Sequence, residues 1–162
     1  MSIDPDAFRA VLGRYATGVT VVTTRDASGT PYGLTVNSFT SVSLEPPLVL
    51  FCLDRAAGSF AAFEKAEGFA VNILRAGQSQ ISSRFADSEA ERFTEEAVET
   101  WDSGAPILTE ALAALDCSVH ARYDGGDHSI LVGRVLDLQL RTHDDPLIYW
   151  CGSYRRLAPC GA

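Results

Sequence analysis

Between Gly33 and Leu53 the chain reads Gly-Leu-Thr-Val-Asn-Ser-Phe-Thr-Ser-Val-Ser-Leu-Glu-Pro-Pro-Leu-Val-Leu-Phe-Cys-Leu, two strands broken at Glu45-Pro46-Pro47. Successive strand side chains point to opposite faces. Leu34, Val36, Ser38, Thr40 and Val42 therefore share one face of the first strand, and Thr35, Asn37, Phe39, Ser41 and Ser43 share the other. The first face can pack into a core. The second offers short hydrogen-bonding groups around one aromatic ring, which suits a flat ligand with polar edges. Leu48 to Leu53 is apolar at every position and reads as a strand buried on both faces.

The rest of the chain points to the same class. Asp4-Pro5 is a helix start, Phe8, Val11, Leu12 and Tyr15 follow at helical spacing, and Gly18 is the expected end. Val19 to Thr24 is a β-branched strand that turns through residues 26–31 into the polar-faced segment. Ser59 is the expected cap of a short helix carrying Phe60 and Phe63, Phe69 to Leu74 is a strand, and Gln78 to Phe85 is helical. Residues 87–106 read as an acidic, irregular excursion. Leu115 to Tyr123 and Ser129 to Leu140 form a hairpin about Asp124-Gly-Gly-Asp127, placing His128 near Tyr123, and Pro146 to Trp150 is a last strand. Six or seven strands with short turns and few helices predict a mainly β chain, a closed or split antiparallel barrel. Long strand–helix alternation, the mark of a doubly wound sheet, is absent.

At 162 residues the chain reads as one domain, 1–162, with 46% hydrophobic and 21% charged residues. A formal net charge of −8 opposes nucleic-acid binding. It still permits one phosphate-bearing cofactor held by a local cation or a helix N-terminus. Apolar runs are strand-length, so no membrane span is expected. The N-terminus carries no secretory pattern, and the cytoplasm is the expected location. The four cysteines form no Cys-x-x-Cys pair, and Cys52, Cys117 and Cys151, in strand-like apolar stretches, read as small reduced hydrophobes. Walker, Gly-x-Gly-x-x-Gly, Gly-x-Ser-x-Gly and His-Glu-x-x-His signatures are missing, and three histidines with no ligand spacing predict no metal site.

In order along the chain, Thr17-Gly-Val-Thr-Val-Val-Thr-Thr24, the 33–48 motif, Phe69-Ala-Val-Asn-Ile-Leu74, Gly126-Asp-His128 and Pro146-Leu-Ile-Tyr149 strongly resemble the flavin reductase family. These are the small reductase components of two-component flavin-dependent monooxygenases. The resemblance runs from about Phe8 to Leu157. It implies a homodimeric FMN-binding split barrel that takes FMN or FAD, uses NADH or NADPH as hydride donor, and supplies a separate monooxygenase.

By matched position, Thr35, Asn37, Ser38, Phe39 and Ser41 are candidates for holding the isoalloxazine. Asp54, Ser59 and Arg84 are candidates for the loop and phosphate side, and His128 for the nicotinamide. The chain departs from the family at 54–59, where Gly58 removes a possible hydroxyl contact to phosphate. Each candidate also has a plainer role: cross-strand pairing for the Ser and Thr residues, a backbone tie for Asn37, a helix cap for Ser59. Arg84 can snorkel over Phe85, and His128 can be a solvated strand residue. The rival reading on the same barrel is a non-catalytic FMN-binding or storage module. A haem- or cobalamin-handling relative ranks below both.

Overall fold

The computed structural model describes residues 3–94, 97–142 and 144–158; Cys160 lies outside the described residues. Asp4 caps α1 (Pro5–Leu12), accepting from the Ala7 amide at 3.0 Å. The helix stops at Gly13, five residues before the expected Gly18, because Thr17–Gly18 (β1) pairs with Ile148–Trp150 (β11), which also pairs with Ser153–Arg155 (β12). No residue of α1 is buried.

Seven strands form the main antiparallel sheet: Thr20–Arg25 (β2), Pro31–Val36 (β3), Thr40–Leu44 (β4), Pro47–Asp54 (β5), Gly68–Ile73 (β6), Ala113–Gly125 (β9) and His128–Leu140 (β10). Their spatial order is β3-β2-β6-β9-β10-β5-β4. The stretch read as one polar-faced strand is thus two strands on opposite edges. β3 ends where Val36 pairs Thr20, and β4 begins where Thr40 pairs Leu50. Residues 37–39 leave the ladder, so face alternation does not carry across them.

This crossing also explains the curl. Four residue steps from Val36 to Thr40 span at most about 14 Å, so the two sheet edges are drawn together at that end. Among the described residues β3 and β4 do not pair with each other. The sheet is therefore a split barrel, mainly β with few helices, as its sequence predicted. β5 corrects another expectation: Val49, Phe51 and Leu53 are buried, whereas Leu48, Leu50 and Cys52 are half-buried. The run is apolar on both faces, but only one faces the core.

That core joins Val22, Val36, Phe51, Leu53, Phe69 and Leu131 to Phe63 of α2 (Phe60–Lys65). Phe51 meets Phe63 and Phe69 edge-on, at centroid distances of 5.8 and 5.2 Å. On the opposite face, Val21 of β2 and Val19 just before it pack with Phe85 of α3 (Ser79–Ala86). Phe85 lies directly over Gly33, where an added Cβ would come within 2.7 Å of its ring.

The 87–112 excursion is mostly irregular but contains Val98–Thr100 (β7) paired with Pro106–Leu108 (β8). Buried Asn72 holds it down, accepting from the Leu108 amide at 2.8 Å and donating to the Val21 carbonyl at 3.0 Å. No helix among the described residues is long and apolar enough to cross a membrane.

Cys117 is buried and Cys52 half-buried. Cys151 does not lie in the strand-like stretch expected for it: it is exposed in the β11–β12 turn with a φ of 49°, because that turn interrupts the apolar run.

Candidate functional site

One end of the barrel gathers several chemistry-bearing residues through the pairing of β5. Two positions beyond the Thr40–Leu50 pair, β4 has no backbone to offer, and Ser38 takes its place. Its Oγ accepts from the Cys52 amide at 2.9 Å and donates to the Cys52 carbonyl at 3.3 Å. Asp54, two residues on, is the register partner of His128. Asn37, Ser38, Asp54 and His128 therefore lie at the same end of adjoining strands.

The loop after β5 is fastened to the β9–β10 turn. Asp54 Oδ1 accepts from the Ala56 amide at 2.8 Å, folding an Asx turn. The Arg55 amide donates to the Asp127 carbonyl at 3.0 Å. The Arg55 guanidinium donates to the Gly126 carbonyl at 3.2 Å and to Asp124 at 2.8 Å. The hairpin extends further than its Asp-Gly-Gly-Asp signal indicated, because Gly125 is still paired and only Gly126 and Asp127 form the turn. Gly126 has a φ of 79°, whereas Asp127 has none of that sign, the pattern of a type II′ turn. His128 consequently pairs with Gly125, not Tyr123.

His128 is partly exposed, and its Nδ1 lies 2.7 Å from Asp127 Oδ1. The hydrogen bond from His128, and then its charge, hold the Asp127 carboxyl below its ordinary value. An ionised carboxylate only accepts, so Nδ1 carries the proton, which leaves Nε2 as the acceptor whenever the ring is neutral.

The other candidates are distributed as follows. Asn37 and Ser41 are exposed, and Phe39 is half-buried against the core. Thr35 donates through its hydroxyl to the Ser82 carbonyl of α3 at 2.7 Å, so it is tied to the outer helix. Arg84 donates to the Thr94 hydroxyl at 3.3 Å. Ser59 is buried, with helical dihedrals (φ −86°, ψ −5°) in place of the extended backbone of a capping residue, and it makes no capping bond. Its hydroxyl has no partner among the described residues. The backbone N–H groups of Gly58 and Ser59 are likewise unbonded there, and a Cβ on Gly58 would meet nothing within 4 Å.

An unpartnered hydroxyl, two free amides and open space suit a phosphate better than a packed loop. Asp54 and Ser59 are joined by one short loop, but Arg84 is not brought to it. Val21 and Val22 point to opposite faces of β2, and α3 packs with the first while α2 packs with the second.

Two positioning residues were not legible beforehand. Arg55 acquires Asp124 as a partner only once β5 and β10 pair. Arg92 reaches back to the edge of β3, donating to the Gly33 carbonyl at 2.8 Å and to the Asp87 carbonyl at 2.7 Å. Burial pulls the Arg92 pKa down, with the nearby Asp87 charge opposing the shift. Their charges alone, in an acidic chain, gave no pairing signal.

Residues 12–158 match the model of the flavin reductase like domain. A flavin reductase of Pseudomonas putida is 42% identical over 153 residues, covering 94% of this chain and 90% of that protein. The reductase subunit HsaB of a Rhodococcus jostii flavin-dependent monooxygenase is 42% identical over 160 residues, covering 98% and 80%. The Streptomyces globisporus NADH:FAD oxidoreductase SgcE6, solved with NAD and FAD fragments, superposes with a TM-score of 0.91 at 38% identity, covering 100% of this chain and 99% of that one.

Proposed function

This chain belongs to the flavin reductase family, and from that premise we infer that it reduces FMN or FAD with NADH or NADPH and supplies a separate flavin-dependent monooxygenase. The observation that carries this reading is the convergence of Asn37, the 54–59 loop and His128 at one end of the barrel, fixed by strand pairing and by Arg55. When bound together, the nicotinamide and the flavin supply the chemistry themselves, a hydride moving from C4 of one to N5 of the other.

The chain's residues bind, orient and align. The amides of Gly58 and Ser59 and the Ser59 hydroxyl hold the flavin phosphate, for which a small shift of the loop uncovers the hydroxyl. Asn37 and Ser41, exposed and on either side of the crossing, offer hydrogen bonds to the edge of the ring system, with Phe39 behind them. Ser38 holds that crossing in place through the Cys52 peptide. Asp54 shapes the phosphate loop.

His128 positions the hydride donor. With Nδ1 held by Asp127, its Nε2 accepts a hydrogen bond from the nicotinamide carboxamide. Replacing His128 by Ala is expected to raise the apparent KM for NAD(P)H more than that for flavin; an unchanged pyridine-nucleotide KM would sink this role.

Anaerobic mixing of NADH with protein and flavin tests the activity itself. Bleaching of the oxidised flavin's visible band within seconds is expected of a reductase. A bound flavin that stays oxidised would favour the storage-module reading.

A homodimer is supported by the apolar surface this fold leaves outside. Phe8, Val11 and Leu12 form an exposed stripe on α1, and Leu136, Leu138 and Leu140 alternate along the exposed end of β10. Light scattering should return twice the 17.4 kDa chain mass.

A further inference from the structure

One cation sits where the sheet faces its core. Arg122 is half-buried on β9, in register with Leu131 of β10, and Leu131 is in register with Phe51 of β5. Residues in register share a face of the sheet, so Arg122 lies on the core face that α2 covers. It forms no ion pair among the described residues, and its buried Nε has no partner there. Its Nη2 donates instead to two carbonyls at the end of α2, Phe63 at 3.1 Å and Ala66 at 2.6 Å.

Those bonds reach the phosphate loop through a single residue. Phe63, whose carbonyl Arg122 holds, donates its own amide to the Ser59 carbonyl at 3.2 Å, and Ala62 donates to the same carbonyl at 3.1 Å. Ser59 is thereby built into the first turn of α2 and moves with it. The helix has only six residues, about 9 Å of length. So short a helix is not stable by itself, and its direction is set by what holds its ends.

Both ends are held from β9. Where the loop and helix begin, Arg55 pairs with Asp124 at 2.8 Å and lies 5.7 Å from the centroid of the Phe60 ring. Where they finish, Arg122 takes the last carbonyls. Asp124 and Arg122 are two residues apart and so on one face of the strand. The exposed Arg55–Asp124 pair is the weaker grip. The half-buried, charge-assisted bonds of Arg122 are the stronger.

We propose that Arg122 is a positioning residue for flavin binding: by fixing the end of α2 it holds the Gly58 and Ser59 amides and the Ser59 hydroxyl in the arrangement that receives the flavin phosphate. A loop ordered before the ligand arrives binds more tightly than one ordered by it. The inference rests on the flavin-reductase reading above and adds to it a residue that acts through α2, without touching the ligand.

Riboflavin has the ring system of FMN and no phosphate, so the ratio of riboflavin to FMN dissociation constants isolates the phosphate contact. Fluorescence titration of the full chain should show FMN bound at least about tenfold more tightly than riboflavin. Arg122→Met, which keeps the side chain's bulk and removes its donors, should lower that ratio about threefold or more by weakening FMN alone. Arg122→Lys, a shorter cation without the planar fork, should lower it about twofold, and it decides the matter if the Met variant does not fold. A guanidinium that merely stabilised the helix would change the melting temperature and leave the ratio where it was. A preference for FMN that survives these substitutions therefore overturns the proposal alone. A parent chain that binds riboflavin as tightly as FMN overturns the phosphate-loop reading, and the proposal with it.

Discussion

Ser38→Ala distinguishes a residue that holds the site from one that touches the ligand. The Ser38 hydroxyl serves both the N–H and the C=O of Cys52, at 2.9 and 3.3 Å, where β4 has ended and β5 continues. Removing it leaves two half-buried backbone groups without a protein partner. A typical intramolecular hydrogen bond contributes about 0.5–1.5 kcal/mol net, so losing both costs about 1–3 kcal/mol. For a chain of this size, each 1 kcal/mol corresponds to roughly 2–4 °C in melting temperature. Thermal and urea unfolding followed by circular dichroism read the change directly. Ser41→Ala is the control: Ser41 is exposed and its hydroxyl makes no hydrogen bond among the described residues, so stability should move by less than about 0.5 kcal/mol. If Ser38→Ala unfolds within about 0.5 kcal/mol of the parent, the clamp contributes nothing and the crossing is held by other contacts.

Two further outcomes follow from the titrating groups. Asp127 should titrate below its ordinary 3.8 in the folded chain, and His128→Ala should return it toward that value, as read by NMR. Because the folded value is the lower one, the associated stability is present above the unfolded pKa and lost as pH falls through the folded one. Burial, and secondarily the charge of Asp116, push the Cys117 thiol up to about 12. A thiol reagent at mildly alkaline pH should therefore modify exposed Cys151 readily and leave Cys117 unmodified until the chain unfolds.

The β class, the β9–β10 hairpin and the 79–86 helix were legible because each depends on local information: β-branched runs, a Gly-rich turn, apolar residues one helical turn apart. The 33–43 strand was not, because period-two alternation holds only while a strand stays in one ladder. Nothing in Asn37-Ser-Phe39 announces that the ladder is abandoned there for three residues. The same break divided the polar face, sending Thr35 to α3 and Ser41 to the far edge. Ser59 was expected as a cap from its residue type, but its backbone is already helical, which composition cannot reveal. The candidate site was visible largely through family resemblance. Its fastening by Arg55 depends on β5 lying beside β10, a pairing between segments about seventy residues apart.

The placement of Ser59 and Arg84 has a thermodynamic consequence. α2, which Ser59 precedes, packs with Val22, and α3, which carries Arg84, packs with Val21 on the opposite face of the same strand. With the sheet between them, one phosphate cannot touch both unless it sits on the open edge of β3. Among the described residues Ser59 has an unpartnered hydroxyl beside two unbonded amides, whereas Arg84 already bonds Thr94. Flavin binding should therefore respond to Ser59→Ala through contact with the phosphate, and to Arg84→Ala only through the 87–94 segment it helps to hold. Residues without shared partners have nearly additive effects, within about 0.3–0.5 kcal/mol. A double-mutant cycle on flavin dissociation constants should close within that margin. A coupling energy clearly above about 0.5 kcal/mol would mean that the two side chains meet on one ligand group, and that the flavin wraps around the β3 edge.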